Sequence, residues 1–195
     1  MEEWTMTDQV KLGLIYGSVR PGRFCDTVAR WTADQIMKTG NFELEVIDPV
    51  AHATRKKSLA ESSSLHSLQQ QLDVADAFVV VTPEYNHGYP AALKELIDSA
   101  GREWHAKPVA FVSYGGVSGG LRAVEQLRQV FAEVHAVTIR DSVSFHSAWE
   151  QFNGEGVHAS PERHANSMSR MLAQLYWWAV ALREARAAKP YGQAA

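Results

Sequence analysis

The sequence predicts a doubly wound α/β domain, and three observations carry that reading. Short β-prone runs alternate with stretches of helical periodicity along the whole chain. The first run, Val10 to Tyr16, is apolar and short, as a strand buried on both faces of a parallel sheet is. It ends in Gly17-Ser18-Val19-Arg20-Pro21-Gly22-Arg23, a turn that opens directly into a helix. With 195 residues, no internal repeat and no linker, residues 1–195 read as one domain, with loose tails at 1–9 and 190–195.

The elements follow in order. After the first turn, Val28, Trp31, Ile36 and Met37 fall on one side of a helix that Gly40-Asn41 ends. Phe42 to Asp48 alternates and stops at Pro49, which suits an edge strand. Residues 51–64 are polar, with Arg55-Lys56-Lys57 and Ser62-Ser63-Ser64, and read as a solvated loop. Leu65, Leu68, Leu72 and Ala75 keep helical spacing, and Ala77 to Val81 is β-rich enough to be a central strand. Leu93, Leu96, Ile97 and Ala100 mark the next helix, followed by a strand at Val109 to Val112. Leu121, Val124, Leu127, Phe131 and Val134 predict another helix, with a fifth strand near Ala136 to Ile139. A long loop from Asp141 to Pro161 leads to a last helix carrying Met168, Met171, Leu172, Leu175, Trp178 and Leu182. Tyr176-Trp177-Trp178 places aromatics all round that helix, so some face a second subunit or a deep core crossing.

Composition narrows the function classes. A formal net charge of −3 gives no basic footprint for nucleic acid. No run approaches membrane-spanning length, and Met1-Glu2-Glu3-Trp4 lacks the basic, apolar character of a signal peptide. The single cysteine, Cys25, permits no disulfide and suits a reducing, cytoplasmic setting. At a helix N-terminus it is either a thiol of lowered pKa or a small packed residue. The eight histidines show no metal-ligand spacing, so no metal site is expected.

Three turns leave strand carboxyl ends with chemistry on them: Gly17–Arg23, Thr82–Pro90 and Ser113–Gly120. In a sheet of order 2-1-3-4-5 they lie side by side, where open α/β sheets bind ligands. The first turn pairs arginines with a helix N-terminus, an anion site suited to phosphate, although it matches neither a Walker A loop nor a Gly-x-Gly-x-x-Gly fingerprint. The second offers Glu84, Tyr85 and Asn86 between stiffening prolines, and the third is a glycine wall that backbone can bring close to a flat ring.

Gly17-Ser18-Val19-Arg20, then Pro83-Glu84-Tyr85-Asn86-His87-Gly88-Tyr89-Pro90 with Leu93-Lys94, then Gly115-Gly116-Val117-Ser118-Gly119-Gly120-Leu121-Arg122-Ala123 resemble the NAD(P)H-dependent FMN reductase family. That group includes quinone, azo-dye and chromate reductases. The resemblance implies a flavodoxin-like, five-stranded three-layer sandwich, FMN as cofactor and NADPH or NADH as reductant. It implies a small-molecule electron acceptor and a homodimer or homotetramer. It assigns Ser18, Arg20, Arg23 and Thr27 to the phosphate. Pro83, Glu84, Tyr85 and Asn86 fall along the ring edge and ribityl chain, and Ser113, Tyr114, Gly115 and Gly116 on the ring's other side. It names no catalytic residue. The sequence departs from the family after Lys94, where Glu95-Leu96-Ile97-Asp98-Ser99 replaces a run ending in an aromatic that here returns only at Trp104.

Two other classes compete. Gly116-Val117-Ser118-Gly119-Gly120 matches the Gly-x-Ser-x-Gly elbow of serine hydrolases, with Asp141 and His146, His158 or His164 following in triad order. A redox-silent flavin carrier or sensor uses the same three turns without the reaction.

Overall fold

The computed structural model describes residues 9–51 and 59–192. Five parallel strands stand in the order β2-β1-β3-β4-β5. They are β1 (Val10–Tyr16), β2 (Phe42–Ile47), β3 (Ala77–Pro83), β4 (Pro108–Tyr114) and β5 (Val137–Phe145). Helices α1 (Cys25–Met37) and α6 (Glu162–Ala188) cover one face. The other is covered by α2 (Leu59–Val74), α3 (Ala91–Asp98) and α4 (Leu121–Glu133). A four-residue α5 (Ala148–Gln151) follows β5.

Strand alternation sorts the core into two layers. Val79, Val81, Ala110 and Val112 face α1 and α6, while Phe78, Val80, Val109 and Phe111 face α2, α3 and α4. Every residue of β3 and β4 is buried, which explains why β3 reads as an uninterrupted apolar run. Register then fixes the site's location. Tyr16 pairs with Val81, Pro83 with Tyr114, and Tyr114 with Phe145, so the turns after β1, β3, β4 and β5 emerge along one edge.

Several expectations are corrected. Residues 59–64 belong to α2 rather than to a loop: once Leu68 and Leu72 are anchored on the sheet, extending the helix backward through serines needs no new nucleus. Arg55-Lys56-Lys57 lies outside the described residues. Strand five runs on to Phe145, and α5 interrupts the remainder of the expected loop. A bulge hides the strand in the sequence: Val109 pairs with Thr138 but Phe111 with Ser142, and Arg128 caps the freed carbonyls of Ile139 and Arg140 at 2.7 and 3.1 Å. Met37, Leu65 and Leu121 are exposed where their helical faces predict burial. Within the C-terminal tail, Tyr191 docks on His105 and His135, its hydroxyl 3.1 Å from His135 Nδ1. Residues 1–8 and 193–195 lie outside the described residues.

Trp104 resolves the departure after Lys94. It is fully buried, donates Nε1–H to the Ile97 carbonyl at 3.1 Å and packs edge-on against Phe78 and Phe131. The aromatic is displaced in sequence and still closes the end of α3.

Gly120 combines a left-handed backbone with close approach to its neighbours. Its φ is +86°, and a Cβ there would lie 2.7 Å from Ser113 Cβ and 2.9 Å from the Tyr114 amide nitrogen. Gly120→Ala should therefore cost more than the ~1–3 kcal/mol of a left-handed non-glycine residue alone, read as a loss of denaturant midpoint at unchanged slope.

Candidate functional site

The rim is a chain of turns tied edge to edge. The first turn starts where the Gly17 amide donates to the Val81 carbonyl at 2.8 Å, an approach so close that a Cβ on Gly17 would sit 2.7 Å from that oxygen. Ser18 is buried, and its hydroxyl lies 2.8 Å from the Tyr85 hydroxyl. The Arg20 guanidinium stacks 3.6 Å above the Tyr85 ring, a cation–π contact that fastens the first turn to the second. Helix α1 begins at once, with Thr27 in its first turn, and no side chain caps its N-terminus. The Asp26 and Thr27 amides turn back onto the Arg23 and Phe24 carbonyls at 3.4 and 3.1 Å, so the helix start offers chiefly the positive end of its dipole.

The second turn is a tight loop. Tyr85 and Gly88 exchange backbone hydrogen bonds of 2.9 and 3.0 Å around Asn86 and His87, whose φ values are +50° and +68°. Two successive left-handed residues make this a type I′ geometry, which favours asparagine at the first position. Pro83 is the last, buried residue of β3.

Glu84 ties the second turn to the third. Its carboxylate accepts from Ser118 Oγ at 2.6 Å, from the Arg122 amide at 3.2 Å and from Arg122 Nε at 2.6 Å. Arg122 also reaches His87 Nε2 at 2.9 Å, and Gln126 donates to the His87 carbonyl at 2.9 Å. Burial pushes the Glu84 carboxyl upward, but Ser118 and Arg122 outweigh it and hold it below the usual carboxylate range.

The third turn is closed from beneath and from the side. Ser113 Oγ and Ser144 Oγ both donate to the Gly119 carbonyl, at 2.8 and 2.9 Å. The amides of Ser147 and Ala148 donate to the carbonyls of Gly116 and Gly115 at 3.0 and 3.2 Å, and His146 Nδ1 donates to the Val117 carbonyl at 2.7 Å. Trp149, 58% exposed, stands against Gly116, and Val117 beside it is 94% exposed.

The rim therefore brings all twelve expected contact residues to one edge, with their side chains put to different uses. Arg23 turns from solvent to donate to Asp26 at 2.7 Å, to Asp48 and to the Ser18 carbonyl, so two carboxylates match its charge. Tyr114 is buried in the α1/α6 layer and offers the rim only its backbone, whose carbonyl accepts from the Glu84 amide at 3.2 Å. Ser113 is likewise buried beneath the third turn. Arg20, Asn86 and Gly116 remain accessible. Sequence reasoning missed Arg122, whose only signal was its place in the third motif. The segment after β5 carries no motif, so its backbone contacts with the third turn through Ser147 and Ala148 were not legible.

The hydrolase reading does not survive this geometry. The Ser118 hydroxyl donates to Glu84, no histidine hydrogen-bonds to it among the described residues, and Asp141 pairs instead with Arg140 and Gln174. A nucleophilic serine needs a base on its hydroxyl, and a carboxylate already bound by Arg122 is a poor one. No group of three or more metal-ligating side chains converges among the described residues.

Fold and rim together define a flavodoxin-like α/β domain whose three turns gather at one edge of the parallel sheet. By sequence the chain belongs to the NADPH-dependent FMN reductase family, whose model matches residues 10–150. It is 37% identical over 140 residues to the NAD(P)H-dependent FMN reductase LOT6 of Saccharomyces cerevisiae, covering 62% of this chain and 73% of that one. It is 35% identical over 130 residues to an NAD(P)H-dependent FMN reductase of Schizosaccharomyces pombe, covering 62% of this chain. That match takes in 64% of the S. pombe protein, just under two thirds of its length. A quinone reductase of Escherichia coli K12 is 30% identical over 142 residues, 69% of this chain and 76% of the relative. Among solved structures, FerB, a flavoenzyme NAD(P)H:(acceptor) oxidoreductase from Paracoccus denitrificans, superposes with a TM-score of 0.68 at 20% identity, over 88% of this chain and 98% of that one.

Cys25 settles as a packing residue. Burial drives its thiol up to about 11 against the smaller opposing pulls of Tyr114 and Arg23, and its Sγ faces the Val81 carbonyl at 3.7 Å. The native chain should leave an aromatic disulfide reagent unreacted at pH 8, and release one equivalent of chromophore per chain only after denaturation.

Proposed function

We propose that this chain is an NAD(P)H-dependent FMN oxidoreductase that passes reducing equivalents to a small acceptor such as a quinone. One observation carries the placement of the cofactor. The N-terminus of α1 has no side-chain cap and opens beside the accessible Arg20 and the Ser18 hydroxyl. That donor set fits a phosphate monoester, and the glycine turn beside it leaves room for a flat ring. FMN, when bound, supplies two-electron redox chemistry between a nicotinamide and the acceptor.

The chain's own residues bind and orient. Ser18, Arg20, Thr27 and the positive end of α1 hold the phosphate, and Arg23 braces the turn from behind through Asp26 and Asp48. Pro83, Tyr85 and Asn86 form one wall. Gly115 and Gly116 form the other, with Ser113 and Tyr114 setting their height from below. Glu84 keeps the walls in register and holds no proton for transfer, because Ser118 and Arg122 already occupy its oxygens. The open face bordered by Val117 and Trp149 suits exchange of planar reductant and acceptor. A homo-oligomeric state is part of the same reading, supported by Trp177 and Trp178, both exposed on α6. A cytoplasmic location fits the lone, unpaired cysteine, and no helix among the described residues is long and apolar enough to cross a membrane.

The test is an absorption spectrum of the chain after incubation with FMN and removal of excess, before and after anaerobic NADPH or NADH. Flavin bands retained and bleached by a nucleotide are expected. Bands retained but unbleached would mean a carrier or sensor, and no retained flavin would remove the assignment. Arg20→Ala should weaken FMN binding by about 10- to 150-fold, the equivalent of losing a charge-assisted hydrogen bond of ~1.5–3 kcal/mol. Ser118→Ala should retain reductase turnover.

A further inference from the structure

His158 and His164 form an imidazole pair that the redox reading leaves without a role. His158 is 7% exposed, packed among Trp31, Phe145 and Phe152, and it closes a bridge from Phe152. Its Nδ1 accepts the Ser160 amide at 3.0 Å, so the neutral ring carries its proton on Nε2. That nitrogen lies 3.1 Å from His164 Nδ1, which fixes the direction of donation from His158 to His164. His164 stacks on Phe145 with centroids 4.4 Å apart and planes at 22°, and keeps its own proton for the Ser144 backbone. Each Nδ1 thus already accepts an N–H. A second proton on either ring would set one N–H against another.

The pair sits at the hinge of residues 146–161. This segment joins the glycine turn through Ser147, Ala148 and His146, sets Trp149 against Gly116, and is fastened to α6 where His158 meets His164. The charged and titratable groups around the pair discourage a positive charge, and against them stands the Ser144 backbone, which accepts from His164 and favours it. Arg163 on α6 and His146 after β5 act on His164, and Arg30 on α1 lies beside Gly156. From β5 the neighbours are the Phe145 ring and the Ser144 backbone. No carboxylate acts on either ring among the described residues.

We propose that His158 and His164 are positioning residues: as a neutral pair they hold the 146–161 segment against the wall of the flavin site, and a proton taken up by the pair releases it. The link to flavin rests on the reading under Proposed function; the clasp itself does not. Burial lowers both groups from their ordinary value of 6.5, with His158 adding to the effect on His164. Below pH 6.5 the open or unfolded form therefore binds more protons than the closed one, and closure weakens as pH falls.

Amide hydrogen exchange of the intact chain at pH 7.5 and 5.5 tests this. After correction for intrinsic chemistry, peptides over 146–161 should exchange faster at low pH, by up to about tenfold per pH unit for each proton taken up. Peptides over β1, β3 and β4 should hold. His164→Gln keeps an acceptor for His158 and a donor for Ser144 without titrating in this range, and should flatten the response. Equal protection of the segment at both pH values would overturn the proposal, as would a parallel loss in wild type and variant; if the variant does not fold, the wild-type comparison decides alone. FMN titrations at the same two pH values should show weaker binding at pH 5.5 in wild type than in His164→Gln, a comparison that cancels protonation of the phosphate itself. Equal weakening in both would overturn the coupling to the flavin wall. Absence of FMN binding at pH 7.5 would instead remove the functional reading and leave the exchange result to judge the histidines.

Discussion

The ligand edge depends on one largely buried carboxylate. Glu84 leaves the end of β3, crosses to the third turn and takes up Ser118, the Arg122 backbone and the Arg122 side chain. Its charge also lies at the N-terminus of α4, where the helix dipole favours a negative group. An isolated carboxylate in that position would be costly to desolvate. Three donors offset the cost and convert it into geometry, because each donor belongs to the loop or helix that must be aligned. Arg122 then passes the constraint on to His87, so the left-handed Asn86-His87 corner is held from its far side as well.

The two arginines of the first turn illustrate how charge is divided there. Arg23 is neutralised by Asp26 and Asp48 and serves the backbone through the Ser18 carbonyl. Arg20 has no carboxylate partner among the described residues and rests on an aromatic face, which leaves its charge unmatched. A turn with both arginines paired would hold an anion poorly. With both unpaired it would repel itself when empty. Pairing one and stacking the other gives a rigid turn that still carries a positive charge.

The central place of β3, the edge position of β2 and the three turns were legible because each has a local signature: a fully apolar run, a strand stopped by proline, a turn rich in glycine. Illegible features depended on contacts between distant residues. The end of β5 was masked by a bulge whose polar Asp141 and Ser142 break the strand pattern, and that bulge is satisfied by Arg128 from a different element. Arg23 and Arg20 are three positions apart in one motif, and nothing in the sequence says that Asp48 waits behind the first of them. Glu84 reads only as a candidate ligand contact, and its second partner, Arg122, comes from a different motif.

The same distinction separates the competing functions. A Gly-x-Ser-x-Gly pattern requires only five residues, and this chain has glycines there for a steric reason: Gly120 has no room for a Cβ, and Gly119 has a positive φ with Ser144 and His146 packed where a side chain would go. Ser118, just before them, completes a carboxylate's hydrogen bonding. Glycines that let a backbone fold back on itself beside an open, apolar-bordered face build a wall for a flat ligand. They supply nothing that would activate a hydroxyl, and the proposed function accordingly asks this edge to hold a cofactor in place rather than to present a nucleophile.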